Sequence, residues 1–293
     1  MIEIISHTHA SELISLSGTY LEQNESENNR SLGYAYRLAE GPDNYTSEPP
    51  LLLSILEHGK AVGVAIMIPP YSMILSRIGT KIEAAVLHLV RHLRETDVQI
   101  SGIIGPAAEA QAFSECWVEG ILDVSARISM RMRIFEARSV ANLPLSLGKL
   151  RLARREDYPL MAHWITDYSE AVGKPISFDN AKNWTEKLIQ NQQLHIWDLE
   201  APVSIAAVDR PTRNGIAIHT VYTPPEHRNK GYATSSVLLL TQKMLTDRYS
   251  FCCLYTDLSN PTSNSIYTKI GYVPVGDALA VDFQSNRGGS KRC

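Results

Sequence analysis

The sequence predicts an α/β (α+β) fold of two tandem domains, each a mixed, mostly antiparallel twisted sheet flanked by helices. The chain has 293 residues, which is long enough to form two hydrophobic cores. In its C-terminal half, strand-like runs are interspersed with segments whose apolar residues repeat every 3.6 positions, as in helices. The N-terminal half repeats this order of segments, although no repeat is visible residue by residue.

The segments of the C-terminal half are recognised from their apolar period and from the turn residues between them. In order, they are a strand at 149–153, helices from Asp157 and Asp179, strands at 194–199, 203–208 and 216–223, a helix at 231–248, a strand at 251–256, a helix from Pro261 and a strand at 278–283. The three consecutive strands are short and separated by turn signals, which predicts an antiparallel meander.

The N-terminal half gives a similar series of segments. They are strands at 51–56, 61–68 and 71–75, a helix at 81–94, a strand at 98–104, a helix at 107–118 and a strand at 129–135. The glycine-containing stretch from Gly102 to Pro106 is interpreted as a turn between a strand and a helix. No strand or helix is assigned before residue 51.

Asn142, Pro144 and Gly148 cluster between the two series and predict a linker. The chain after residue 283 is polar and rich in glycine and serine, which predicts a loose tail. The predicted boundaries are therefore 1–140 for the first domain, 141–148 for the linker, 149–283 for the second domain and 284–293 for a flexible tail.

The composition is that of an ordinary soluble protein, with 44% hydrophobic and 20% charged residues. A formal net charge of −3 argues against a broad nucleic-acid-binding face. The first twelve residues lack a basic region followed by an apolar stretch, and the longest apolar run, 61–70, is too short to span a bilayer. We therefore expect a cytoplasmic protein that does not bind nucleic acid or membrane.

The four cysteines show no spacing typical of a metal site or a disulfide framework. They are Cys116, Cys252, Cys253 and Cys293. We expect reduced thiols and no metal.

The segment from Arg228 to Thr234 lies between a predicted strand and a predicted helix. Backbone N–H groups converge in such a turn, and the positive end of the helix dipole lies behind it, so it is suited to hold a pyrophosphate. Gly231 allows an anion to approach the backbone, and Ala233 keeps the following position small. The alternative is an ordinary surface turn with Arg228 in solvent.

These residues resemble the acetyl-CoA-binding signature of the GNAT superfamily of N-acetyltransferases. The signature is Arg or Gln, two residues, Gly, one residue, then Gly or Ala, and here it is Arg228-x-x-Gly231-x-Ala233, preceded by Pro225-Glu226. A second block, with Asn260, Tyr267 and Gly271-Tyr272, is similar to the segment after the family's fifth strand. The resemblance covers residues 149–283 and extends to two-domain members whose first domain is degenerate.

The resemblance implies transfer of an acetyl group from acetyl-CoA, as cosubstrate, to a primary amine that attacks the thioester directly. The pantetheine arm would enter between the strands at 216–223 and 251–256 and pair with exposed backbone groups near Val221 and Thr223. A backbone N–H group where the strands separate would stabilise the oxygen that becomes negative. The implied cofactor-binding residues are Val221, Tyr222, Thr223, Arg228, Asn229, Lys230, Gly231, Tyr232, Ala233, Thr234 and Asn260.

Tyr267 is the implied general acid, because this family often places the proton donor for the departing thiolate at that position. No general base is evident. His219 is a candidate, since strand alternation gives it the same face as Val221 and Thr223. A structural role for His219, sheet packing for Tyr267 and a helix cap for Asn260 are the alternatives. Glu170 is a further candidate for lining an acceptor pocket, with a solvated helix face as the favoured alternative.

The N-terminal counterpart of the loop, Ser76 to Glu83, contains Gly79 but not the spacing of the signature. We therefore expect that this half does not bind CoA in the usual way. The acceptor, a small-molecule or protein amine, and the oligomeric state stay open. An inactive CoA-binding sensor or regulatory module is the leading alternative function, followed by a purely structural protein.

Overall fold

The structure is a computed structural model that describes residues 1–41, 48–121 and 124–285, so Cys293 and residues 286–293 of the predicted tail lie outside it. The elements in chain order are β1 (Ile2–Ser6), α1 (Ala10–Glu22), α2 (Asn29–Glu40), β2 (Leu51–Glu57), β3 (Lys60–Met67), β4 (Met73–Leu75), α3 (Ile82–Glu95), β5 (Gly102–Pro106), α4 (Ala107–Val118), β6 (Val124–Ala137), β7 (Lys149–Leu152), α5 (Tyr158–Ala171), α6 (Phe178–Gln190), β8 (Leu194–Asp198), β9 (Pro202–Asp209), β10 (Gly215–Tyr222), α7 (Tyr232–Asp247), β11 (Phe251–Asp257), α8 (Pro261–Ile270) and β12 (Val273–Ser285).

The described chain forms two compact units. The N-terminal unit comprises residues 1–134, 255–260 and those from 274 onward, and the C-terminal unit comprises 135–254 and 261–273. Each unit therefore includes residues from both halves of the sequence. The boundaries predicted at 1–140, 141–148 and 149–283 treat each domain as one continuous segment and stay a prediction.

The sheet of the N-terminal unit has the order β1-β2-β3-β4-β5-β12-β6. Its first four strands pair antiparallel, β4 and β5 pair parallel, and β12 pairs antiparallel with β5. Successive residues of β3 alternate between two cores: Ala65 packs with α3 and α4, whereas Val64 and Ile66 pack with α1 and α2. Helices therefore cover both faces of this sheet.

The sheet of the C-terminal unit has the order β6-β11-β10-β9-β8-β7, with the end of β6 contributing. Strands β8 to β10 form the predicted antiparallel meander, β7 pairs antiparallel with β8, and β10 pairs parallel with β11. In β9, Ala206 and Val208 pack against α7 and α8, whereas Ile205 and Ala207 pack against α5 and α6. The predicted class, a mixed and mostly antiparallel sheet flanked by helices, is confirmed.

The interpretation of Gly102 to Pro106 as a turn is wrong, because these residues form β5. The glycines are required by the close approach of neighbouring strands. A Cβ atom at Gly102 would lie 2.6 Å from the carbonyl oxygen of Val281, and one at Gly105 would lie 2.7 Å from that of Leu75. The sequence predicted no strand or helix before residue 51, but the structure has three elements there, β1, α1 and α2.

The last strand, β12, is longer than predicted and includes residues 284 and 285, which were assigned to the tail. Among the described helices, none combines the length and the apolar character that a bilayer crossing requires.

Candidate functional site

The turn between β10 and α7 has an unusual backbone conformation. A single 3-10 turn at Pro225–His227 follows β10, and Arg228 returns to an extended conformation. Asn229 and Gly231 are both left-handed, with φ of +62° and +77°, and Gly231 is the N-cap residue of α7. Left-handed residues within a turn allow successive N–H groups to face one anion. We call residues 228–234 the anion loop.

The backbone N–H groups of residues 229–234 in the anion loop are available, whereas that of Arg228 donates to the Pro225 carbonyl at 3.2 Å. Residues 228–231 are exposed, and within the described chain no acceptor bonds to the amides of residues 229–234. Three of these amides belong to the first turn of α7, where no intrahelical partner exists. The side chain of Arg228 donates to the Thr223 carbonyl at 3.0 Å, and that of Lys230 donates to the Glu226 carbonyl at 3.1 Å. Two cations therefore lie beside the free amides.

Strands β10 and β11 separate next to this loop. Their parallel ladder has three pairs and ends at Ala217 opposite Cys253, although both strands continue. On the other side of β10, the register with β9 shifts between His219 and Tyr222, and Thr220 has a φ of +51°. This is a β-bulge, which leaves an extra residue outside the ladder. Thr220 and Val221 are therefore paired in neither of these two ladders.

A series of four rings in the C-terminal unit begins at the bulge with His219 and continues through Trp184 and Tyr168 to the nearby Tyr267, and we call these rings the aromatic wall. The Trp184 and His219 rings are nearly parallel, with centroids 6.4 Å apart, and Tyr168 meets Trp184 edge-on at 6.4 Å. The Nδ1 atom of His219 lies 2.6 Å from Oγ1 of Thr220. The wall is partly exposed and links the bulge to helices α5, α6 and α8.

Tyr267 on α8 combines packing with an altered acidity. Its ring lies 6.4 Å from that of Phe135 and 6.0 Å from that of Tyr272. Burial, and secondly the nearby Tyr168, raise the pKa of the Tyr267 phenol above its ordinary value. The hydroxyl therefore stays protonated at neutral pH and well into the alkaline range, as a proton donor requires.

The corresponding loop of the N-terminal unit, between β4 and α3, is built differently. The amide of Arg77 donates to the Asn28 side chain at 2.9 Å, and the amide of Ile78 donates to the carboxylate of Glu109 at 3.0 Å. Glu109 is buried. The Glu109 carboxylate thus accepts from an amide of this loop, in place of an anionic ligand.

Gly79 in that loop is also engaged. Its amide donates to the Val62 carbonyl at 2.8 Å, and a Cβ atom there would lie 2.9 Å from the ring of Tyr20. This arrangement supports the expectation that the N-terminal half does not bind CoA in the usual way.

Comparison with known proteins identifies the fold. Residues 203–278 match the family model described as FR47-like protein. A tandem GNAT protein from the clavulanic acid biosynthesis pathway is 10% identical, with a TM-score of 0.57, over 98% of this chain and 99% of that chain. The chain has the tandem GNAT fold.

Two further structures with the GNAT fold are similar over nearly the whole chain. An acetyltransferase of the GNAT family from Colwellia psychrerythraea is 12% identical, with a TM-score of 0.59, over 97% of this chain and 99% of that chain. A GCN5-related N-acetyltransferase from Sphaerobacter thermophilus is 13% identical, with a TM-score of 0.62, over 98% and 96%. No curated protein matches the chain significantly. The predicted GNAT resemblance is confirmed at the level of the fold.

Within this GNAT fold, ten of the eleven predicted cofactor-binding residues fall into two groups. The first is the contiguous anion loop, Arg228, Asn229, Lys230, Gly231, Tyr232, Ala233 and Thr234. The second begins within the bulge: Val221 is half-buried, and Tyr222 is buried with its hydroxyl 3.5 Å from the Asp167 carboxylate. Thr223 lies just after β10, and its hydroxyl is 2.8 Å from that of Ser204. The Tyr222 carbonyl accepts from Ser204 at 3.0 Å, so this carbonyl is already engaged.

Asn260 immediately precedes α8, whose first residue is Pro261, as the sequence predicts for a helix start. It is exposed and belongs to the N-terminal unit, and its predicted contact with pantetheine stays a prediction. Glu170, at the end of α5, is exposed. The described residues contain no cluster of three or more His, Cys, Asp or Glu side chains suited to a metal ion.

Three residues at the site were missed by sequence reasoning. Tyr168 and Trp184 lie on amphipathic helices, where an aromatic residue is expected simply to pack. Ser146 lies in the predicted linker, and its hydroxyl donates to the Lys230 carbonyl at 2.8 Å. Each reaches the site from a distant part of the chain, so no local pattern could have indicated it.

Proposed function

We propose that the protein is an N-acetyltransferase that moves the acetyl group of acetyl-CoA to a primary amine. The observation that carries the proposal is the anion loop, where the amides of residues 229–234 have no acceptor within the described chain and lie at the N-terminus of α7. Such a terminus favours a diphosphate through its free N–H groups and its dipole. The GNAT fold and the FR47-like match over the same segment support it.

Two parts of acetyl-CoA would bind to two parts of the chain, the diphosphate to the anion loop and the pantetheine arm to the bulge. The amides of residues 229–234 would donate to the diphosphate, with Arg228 and Lys230 adding positive charge. The backbone between His219 and Tyr222 would pair with the amide groups of the pantetheine arm as an added strand does. Acetyl-CoA supplies an activated thioester when bound.

Two groups of the chain would assist the transfer itself. An N–H group at the bulge would donate to the carbonyl oxygen as negative charge develops on it. The phenol of Tyr267, which its raised pKa keeps protonated, would donate a proton to the departing sulfur. His219, at the start of the bulge, stays the candidate base.

The aromatic wall supports one class of acceptor. None of its four side chains is acidic, and their rings present flat apolar surfaces. His219 lies just after the point where β10 and β11 separate. Aromatic rings bind both apolar groups and ammonium ions. An amine with an apolar or aromatic body would therefore be preferred to a polycation.

Calorimetric titration of CoA into the protein tests the cosubstrate part of the proposal. We expect saturable binding that Gly231→Glu weakens at least about tenfold, because a carboxylate would repel the diphosphate. Gly59→Glu is the matched control, since Gly59 has a similar φ of +75° but lies in a hairpin of the N-terminal unit with open space around it. Absence of saturable binding by the unmodified protein would overturn the proposal.

An acetyl-transfer screen over a library of amines, following release of the free thiol, tests the reaction. An inactive CoA sensor is the second candidate, because Tyr267 packs against Phe135 and Tyr272 as a structural residue would. In an enzyme, Tyr267→Phe should lower kcat about 10²-fold and leave CoA affinity unchanged. Background rates toward every amine in both forms, with CoA still bound, favour the sensor.

A further inference from the structure

We propose that Ser146 is a positioning residue that orients one amide of the anion loop toward the diphosphate of CoA. This inference rests on the proposed function. It concerns a residue outside the GNAT signature, in the segment that precedes β7.

The contact fixes a particular peptide unit. The hydroxyl of Ser146 donates to the Lys230 carbonyl at 2.8 Å. That carbonyl and the N–H group of Gly231 belong to the same planar trans peptide, so they point in opposite directions. Holding the carbonyl against Ser146 therefore directs the Gly231 N–H group away from Ser146.

This peptide needs such a restraint. Gly231 is left-handed and exposed, and glycine adopts either sign of φ with similar ease, so the preceding peptide can rotate at low cost. Rotation would turn the carbonyl oxygen, instead of the N–H group, toward an approaching anion. A hydrogen bond to the carbonyl also polarises the peptide and makes its N–H group a stronger donor.

Ser146 is itself held on both sides. Its amide donates at 2.9 Å to the hydroxyl of Ser235, a buried residue in the first turn of α7. The next carbonyl, that of Leu147, accepts from the indole of Trp197 at 3.0 Å. Gly148 follows with a φ of +120°, and a Cβ atom there would lie 2.6 Å from the same indole nitrogen. The Ser146 hydroxyl is therefore presented by an anchored backbone.

The test compares Ser146→Ala with Ser146→Thr. We expect Ser146→Ala to weaken CoA binding in calorimetry about threefold to tenfold, the range that one net hydrogen bond supports, and to raise the KM for acetyl-CoA equally with kcat unchanged. Ser146→Thr keeps a hydroxyl and should restore most of the affinity. Leu145→Ala, at an exposed neighbour, is the control and should change neither quantity.

Acetyl-pantetheine, which lacks the diphosphate, separates positioning from general damage. Its KM should be the same in the unmodified protein and in Ser146→Ala. An equal rise for both acyl donors, or unchanged CoA affinity in Ser146→Ala while the unmodified protein binds CoA, would overturn the inference. Failure of the unmodified protein to bind CoA would instead remove the proposed function.

Discussion

Glycine at position 231 is required for two separate physical reasons. Its φ of +77° would cost a residue with a Cβ atom about 1–2 kcal/mol. That Cβ atom would also lie 2.6 Å from the hydroxyl oxygen of Ser146. The conformation that frees the loop amides and the contact that orients one of them therefore depend on the same missing side chain.

A second residue, His195 on β8, makes stability depend on pH. Burial lowers the pKa of His195 to about 4, against a weaker opposing effect of the Gln193 carbonyl. Between about pH 6.5 and 4 the unfolded chain binds a proton that the folded protein excludes, so stability should fall as the pH falls through this window. The slope from this group is up to about 1.4 kcal/mol per pH unit.

Urea unfolding at pH 7 and pH 5 measures this effect. His195→Gln should remove that part of the pH dependence, whereas His88→Gln, on α3, should leave it. The same difference between the two pH values in His195→Gln and in the unmodified protein would contradict the assignment.

Among the elements, β5 shows why the sequence was insufficient. Glycine and proline punctuate turns far more often than strands, so local propensity favoured a turn at Gly102 to Pro106. The decisive contacts, with Leu75 and Val281, come from strands that are distant in the chain. The elements β1, α1 and α2 were also missed, although the buried residues Leu32, Ala35 and Leu38 of α2 recur at helical spacing.

Replacing Gly105 by alanine tests the close approach of β5 to β4. The new Cβ atom would meet the Leu75 carbonyl oxygen at 2.7 Å, and this backbone atom cannot move aside cheaply. We expect the free energy of unfolding to fall by about 1–3 kcal/mol. Gly18→Ala, inside α1 with its nearest neighbour at 3.4 Å, should be neutral or stabilising because alanine favours helix. Thermal unfolding of both variants measures their stability. An equal loss of stability in Gly105→Ala and Gly18→Ala would contradict the steric argument.

The candidate site was predictable only where it is contiguous. The anion loop was found because its residues follow one another between a strand and a helix. The bulge after His219 has no sequence signature, since Thr220 is not a residue that usually adopts a positive φ. Ser146, Tyr168 and Trp184 contribute through tertiary contacts, which a single sequence does not display.

For the whole molecule, the two counterpart loops differ in what their amides bind. In the loop of the N-terminal unit, amides donate to Asn28, Val62 and Glu109. In the anion loop, the amides of residues 229–234 have no acceptor within the described chain. We therefore expect one CoA per chain in calorimetry. Gly231→Glu should weaken this binding at least about tenfold, and one remaining site of unchanged affinity would show that the N-terminal loop also binds CoA.

The pairing of β5 with β12 joins residues near position 104 to residues near position 280. During synthesis on the ribosome, the N-terminal sheet consequently lacks this neighbour until the residues near position 280 have been made. Until then β5 has an unpaired edge, the kind of surface that promotes aggregation or capture by a chaperone. Slow, late maturation in the cell is the expected consequence of that single long-range ladder.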